Sequence, residues 1–254
     1  MISRYTRPEM GKLFSQQARF EFLLQVEVAV AKAQGELGLI PKEAAKAISS
    51  KAGFDLARIE EIEKTTKHDV IAFVSSVAEK VGPEGRYVHY GMTSSDVLDT
   101  ALSVQVQTAG EVLSKTLARL EKALKAKAKE HVDTLCAGRT HGMHAEATTF
   151  GLKLAGHLVE FYRNNERLQR ALENMRIAKL SGAVGTYATQ TPKVEARVAD
   201  LLNLKTETVA TQVIPRDRHA ELMNALAYRD WETDRKSTRL NSSHEIPSRM
   251  PSSA

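Results

Sequence analysis

From Ser95 to about His131 the chain contains no proline and a single glycine, Gly110. Proline inside a helix deletes a hydrogen bond and clashes with the preceding turn, so a proline-free stretch this long favours one uninterrupted helix. Val106, Ala109, Leu113, Leu117, Leu120 and Leu124 recur at three- and four-residue steps and fall on one continuous stripe. A helix of about 37 residues would be about 55 Å long, too long for a small globule. Its stripe can be buried only by other helices, which predicts a bundle.

The rest of the chain agrees with an all-α fold. Phe20 to Leu37 is rich in helix formers, and Gly38 supplies a stop. Pro41 opens a short helix over K-E-A-A-K-A-I, at the favoured first position. Asp55 can cap D-L-A-R-I-E-E-I-E-K, and Val70 to Val81 carries an apolar face ended by G-P-E-G. Ala145 to about Leu180 reads as a second long helix. No alternating strand pattern and no Asn-Gly hairpin signal is visible. The expected organisation is a small N-terminal helical domain over 1–92, followed by the long helices of a partial central bundle over 93–227. After Ala227 periodicity vanishes while Ser, Arg and Pro accumulate. Residues 228–254 therefore read as a disordered, foreign-looking tail joined to a truncated protein.

Composition narrows the function classes. At 254 residues the chain can bury a substantial core. No apolar run approaches the roughly 18 residues of a membrane span, and the N-terminus lacks a signal-peptide core. The single cysteine, Cys136, excludes an intrachain disulfide and is compatible with a reducing cytoplasm. A net charge of +5 suits an anionic substrate but does not argue for nucleic acid. Lys122, Lys125, Lys127 and Lys129 read as a solvated helix face.

Three polar clusters interrupt the helices. Gly138 to Gly151 reads G-R-T-H-G-M-H-A-E-A-T-T-F-G and places Arg139, Thr140, His141 and His144 together. It leads into the second long helix, and a histidine at a helix mouth is well placed for acid–base chemistry. Lys67-His68-Asp69 lies between two helices, and His89 leads into Thr93-Ser94-Ser95-Asp96 at the start of the first long helix. That tetrad can be a capping box, an anion site built on free helix N–H groups, or both. A lone loop histidine usually has a structural hydrogen-bonding role, but four of them at polar junctions point to a shared site. His141 and His144 lack the companion ligands of a metal site. No G-x-S-x-G elbow marks a hydrolase, and no glycine-rich loop after a strand marks a nucleotide cofactor fold.

Together, Gly91-Met92-Thr93-Ser94-Ser95-Asp96-Val97-Leu98-Asp99-Thr100, Ala137-Gly138-Arg139-Thr140-His141-Gly142-Met143-His144-Ala145 and Lys67-His68-Asp69 resemble the adenylosuccinate lyase family of the fumarase/aspartase superfamily. Arg4-Tyr5-x-Arg7-Pro8-Glu9-Met10 and Gln212-Val213-Ile214-Pro215-Arg216-Asp217-Arg218-His219 extend the likeness from residue 1 to about 227. The resemblance implies an all-α homotetramer whose central helices form a shared bundle, with active sites built from three subunits. It implies an enzyme that uses no cofactor; with the composition above, the expected setting is cytoplasmic, with no metal, no membrane and no nucleic-acid partner. The implied reaction is β-elimination of fumarate from adenylosuccinate to give AMP, and the matching cleavage of the succinyl-carboxamide ribotide.

The resemblance also implies roles. His141 is the general acid at the departing nitrogen, assisted by His68. Lys67, His68 and Asp69 contact substrate, Thr93 and Ser94 hold a succinyl carboxylate, and Arg4 and Tyr5 bind the nucleotide end. Thr140 and Gln212 complete the substrate contacts, and His89 lies near the phosphate. Two departures stand out. Ala147 replaces the proline usual in the family. The loop S-S-x-M-P-x-K-x-N-P, which carries the general-base serine, is absent from these 254 residues. The chain is accordingly expected to be inactive alone. The alternative is a non-catalytic helical module that assembles through its apolar stripes.

Overall fold

The computed structural model of the chain describes residues 3–227. The expected foreign tail at 228–254 lies outside the described residues. The chain divides into two compact units. Among the described residues, the first comprises 3–113 and 172–216, and the second 114–171 and 217–227.

The first unit begins with α1 (Pro8–Leu13) and α2 (Gln16–Glu36). The Ser15 hydroxyl caps α2 by accepting from Ala18 N–H. Gly38, at φ +75°, ends it: the amides of Gly38 and Leu39 turn back onto Gly35 and Gln34 carbonyls. α3 (Lys42–Lys51) follows, with Pro41 as its cap residue rather than its first helical residue. Asp55 caps α4 (Leu56–Thr66) as expected, accepting from Arg58 N–H at 3.0 Å. α5 (Asp69–Val81) starts at His68 and stops at Gly82.

The core of this unit is gathered around α2, which packs on α3 and α8 (Pro192–Leu202). Phe20 stacks on Phe73 at 5.4 Å, and Phe54 stands edge-on to Phe73 at 6.1 Å. Such pairs add about 0.5–1.5 kcal/mol beyond their buried area. Leu23, Val26, Ile48, Ile59, Val77, Val97, Val194 and Val198 close around them, all buried. Each large aliphatic side chain so buried contributes about 1.5–3 kcal/mol.

α6 (Ser94–Glu130) is the predicted rod, 37 residues without a break. Its stripe is not uniformly covered. Ala109 and Leu117 are buried, whereas Leu120 is exposed and Leu124 half-buried. Lys122, Lys125, Lys127 and Lys129 are exposed, and Lys127 pairs with Glu130 at 2.8 Å. No helix of the described residues is long and apolar enough to cross a membrane.

The second long helix is shorter than the sequence predicts, because strands replace its ends. α7 spans Phe150–Asn174. Before it, β1 (Leu135–Thr140) and β2 (Met143–Thr149) form an antiparallel hairpin in the second unit. After it, β3 (Ile177–Ala178) pairs in parallel with β4 (Lys205–Thr206) in the first. The molecule remains mainly helical, so these short strands modify the all-α fold rather than replace it.

Candidate functional site

The site residues expected from the sequence fall into two sets, one in each unit. In the first unit the head of α6 organises three loops. The Thr93 amide donates to Asp96 Oδ2 at 3.0 Å, which is the side-chain half of a capping box. Asp96 Oδ1 lies 2.6 Å from Lys179 Nζ and accepts from Gly182 N–H at 3.3 Å. Both charged side chains are fully buried. Lys179 also donates to Gly182 O at 2.6 Å and to Gln212 O at 2.9 Å. An ammonium has three donors, and here each has an acceptor. Lys179 therefore ties the backbone at Gln212 to the residue that caps Thr93.

One turn along α6, Asp99 repeats the device. Its carboxylate accepts from Ile214 N–H at 2.8 Å and from the Arg216 guanidinium at 3.0 Å. A third fastening lies at residues 89–91. The Tyr90 carbonyl accepts from Gln34 and Gln190, each at 2.8 Å, and the Gly91 carbonyl from the Thr189 hydroxyl at 2.7 Å. His89, Thr93, Ser94 and Gln212 thus sit on segments joined by polar contacts, of which those of Lys179 to Asp96 and Gly182 are buried.

The loop that bears Gly182 is held from its other side. Glu195, buried on α8, accepts from Leu180 N–H at 2.8 Å and from the Tyr187 hydroxyl at 2.6 Å. Burial raises the Glu195 pKa above the usual carboxylate range, and these two hydrogen bonds only partly oppose it. Burial beside this carboxylate also pushes the Tyr187 phenol upward.

His68 and its neighbours form the α4–α5 junction. Lys67 is left-handed at φ 53° and donates its amide to Glu63 O, ending α4. His68 begins α5, and its Nδ1 accepts from Ile71 N–H at 3.4 Å. A ring that accepts at Nδ1 carries its neutral-form proton on Nε2. Asp69 pairs with Arg19 at 2.6 Å and accepts from Val70 N–H at 2.8 Å. Partial burial works to raise its pKa, but Arg19 and the Val70 amide outweigh it and hold the carboxyl below the usual range. At the N-terminus, the Arg4 guanidinium lies 4.8 Å from the Tyr5 ring centre, and Tyr5 is exposed.

In the second unit, Thr140 and His141 occupy the tip of the β1–β2 hairpin. Thr140 pairs with Met143, which leaves His141 and Gly142 as a two-residue turn. Their φ values are 52° and 75°, the pattern of a type I′ turn. His141 therefore stands on a tight hairpin, not at a helix mouth. Thr140, His141 and His144 are all exposed. No group of three or more potential metal-binding side chains occurs among the described residues.

Sequence reasoning missed Lys179, Glu195, Tyr187 and Glu27, a buried carboxylate on α2 bonded to His89 at 2.7 Å. The only signal was a charge within an apolar run, as in Ile177-Ala178-Lys179-Leu180 and Val26-Glu27-Val28-Ala29.

Comparison with known proteins gives this geometry a family. A family model described as Lyase matches residues 3–229. The chain is 50% identical over 227 residues to the adenylosuccinate lyase of Synechocystis sp. (strain ATCC 27184 / PCC 6803 / Kazusa), covering 89% of this chain and 53% of that protein. Identity, span and coverage are the same with the adenylosuccinate lyase of Bacillus subtilis (strain 168): 50%, 227 residues, 89% and 53%. Among solved structures, a fumarate lyase from Mesorhizobium sp. BNC1 is 32% identical with a TM-score of 0.83, covering 91% of this chain and 56% of that one. The 3-carboxy-cis,cis-muconate lactonizing enzyme from Pseudomonas putida is 31% identical with a TM-score of 0.81, covering 88% and 53% respectively. The chain thus spans about half the length of the curated relatives it matches, at 53% of each. On the family model's match across residues 3–229, the chain belongs to the lyase family.

Proposed function

We propose that this chain supplies the substrate-holding loops and the proton donor of an adenylosuccinate lyase. In the reaction a base removes a proton from the succinyl carbon next to a carboxylate. The electron pair forms the carbon–carbon double bond of fumarate as the carbon–nitrogen bond breaks, and an acid protonates the nitrogen of AMP. The same elimination would act on the succinyl-carboxamide ribotide. The observation that carries the reading is the 50% identity over 227 residues to proteins named adenylosuccinate lyase.

In this reading His141 protonates the leaving nitrogen and His68 assists through Nε2. Thr93 and Ser94 hold a succinyl carboxylate at the head of α6, where free amides and the helix dipole favour an anion. Gln212, Thr140, Lys67 and Asp69 complete the substrate contacts, and Arg4, Tyr5 and His89 serve the nucleotide end. Residues 1–92 act as an N-terminal domain and 93–227 as part of a central bundle. No cofactor takes part, and the setting is cytoplasmic. Assembly is a homotetramer, which would cover the exposed Leu120, Leu152 and Val159.

The base serine has no counterpart in the 254 residues, so the chain alone should not turn over. The test is complementation. The chain is co-folded with a full-length family lyase whose base serine is replaced by alanine, and absorbance on adenylosuccinate is followed. A full-length lyase lacking the His141 equivalent serves as the second partner. Recovery is expected with the second partner, which lacks the acid but keeps its serine. Turnover by the chain alone would refute its inactivity, and mixed oligomers without recovery would refute the assignment of His141.

A further inference from the structure

Glu27 lies among apolar neighbours on α2, and its side chain is 1% exposed. A carboxylate buried this deeply requires partners, and both of its oxygens find them on one residue. Oε1 stands 2.7 Å from His89 Nδ1, and Oε2 accepts from the His89 backbone N–H at 3.0 Å. The His89 backbone is left-handed, at φ 61°, a conformation uncommon outside glycine. The next carbonyl, of Tyr90, is gripped by Gln34 and Gln190. Ring and backbone are therefore both fixed. The other ring nitrogen, Nε2, bonds to none of the described residues, and the ring keeps one-fifth of its surface open.

We propose that Glu27 is a positioning residue which clamps His89 through Nδ1–H and the peptide N–H, so that Nε2–H is aimed as a donor to an anionic group of the ligand. In the lyase reading, on which this inference rests, that group is the phosphate of the nucleotide. An Nδ1 this close to a carboxylate holds the proton, so Nε2 can donate only when the ring is an imidazolium. The surroundings favour that cation. Burial pulls the His89 pKa down, but the hydrogen bond and charge of Glu27, with the charge of Asp96, outweigh it and hold the pKa above its ordinary value. The charged groups facing the ring are Glu27 from α2 and Asp96 from α6, the latter paired with Lys179. Anion binding at His89 is then full below this raised pKa and is lost as pH rises through it.

Long-range proton–nitrogen spectra of the histidine rings, recorded on the full chain, test this. Inorganic phosphate and AMP are the two probes, titrated into wild type, Glu27→Gln and Glu27→Asp. In wild type the neutral ring should carry its proton on Nδ1, and a probe should shift the Nε2 signal to saturation. Affinity should fall about tenfold for each pH unit above the ring's midpoint. Glu27→Gln should lower that midpoint and move the affinity profile with it. Glu27→Asp, which keeps the charge, should restore most of the shift. A response to AMP but not to phosphate supports the proposal and assigns the anion to a nucleotide.

An unchanged midpoint in Glu27→Gln overturns the proposal, as does a ring that answers neither probe. If Glu27→Gln does not fold, wild type alone decides: a neutral ring protonated on Nε2 overturns it. The lyase reading fails separately, since phosphate can titrate His89 while a complemented enzyme leaves adenylosuccinate intact.

Discussion

Lys179 and Asp96 meet at 2.6 Å with both side chains wholly out of solvent, 83 residues apart in the chain. Removing one member of such a pair strands the other charge where nothing solvates it. Lys179→Met should cost about 3–5 kcal/mol and also orphan the carbonyls of Gly182 and Gln212. Arg197→Met, which breaks the exposed pair with Glu36, should cost far less, because water already solvates both charges. Urea unfolding of the two variants side by side measures this. Equal losses would mean that the buried pair contributes no more than a surface one. Adding Asp96→Asn to Lys179→Met should recover part of the loss.

The hairpin tip allows fold and chemistry to be separated at one position. Asn-Gly is the favoured pair for a type I′ turn, so His141→Asn should leave the β1–β2 hairpin intact or firmer. The same change removes the imidazole, and in a complemented enzyme it should lower turnover by about 10²- to 10⁴-fold. Circular dichroism with the complementation assay reads both effects. Retained turnover would move the acid elsewhere.

His68 offers a parallel separation at a helix start. Asparagine caps as well as any residue, while alanine cannot cap. His68→Ala should cost about 1 kcal/mol of stability, and His68→Asn close to nothing. Both should impair turnover equally if the imidazole assists the acid. Thermal unfolding and complemented kinetics check the two halves; an active His68→Asn would leave the residue a cap and nothing more.

The Tyr187–Glu195 contact predicts a pH dependence with a definite sign. The Glu195 pKa is raised by burial above its unfolded value, so the folded state takes up its proton more readily than the unfolded one. Its contribution to stability is greatest in acid and is lost as pH rises from about 4.3, the unfolded value, through the folded pKa. Tyr187→Phe removes a donor to the ionised form. It should cost about 1–3 kcal/mol above the folded Glu195 pKa, where the carboxyl is ionised, and less where Glu195 is protonated. Unfolding of the pair of proteins across acid and neutral pH decides it, and a pH-independent difference would rule out the carboxylate as the cause.

Much of the helical framework is readable because its signals are local. Asp55 declares its cap within three residues, Gly38 and Gly82 mark ends, and the stripe from Val106 to Leu124 fixes the long rod. The hairpin escapes because both of its faces are largely exposed, leaving no alternation of apolar and polar residues to detect. Its turn is His-Gly rather than Asn-Gly, so the strongest short-range cue is missing as well. Motif resemblance picks out Thr93, His89 and Gln212, but not what holds them. Their supports, Lys179 and Glu27, are charges whose partners lie 83 and 62 residues away. Between such distant positions only the folded chain reveals the pairing.

The saturation of Lys179 has a chemical corollary. An amine becomes a nucleophile only after it releases a proton and frees a lone pair. Here all three protons are committed to fixed oxygens, one of them a carboxylate. The side chain can form no Schiff base and can shuttle no proton while the loops stay closed around it. Its reactivity toward an acylating reagent would therefore report the rate at which those loops open.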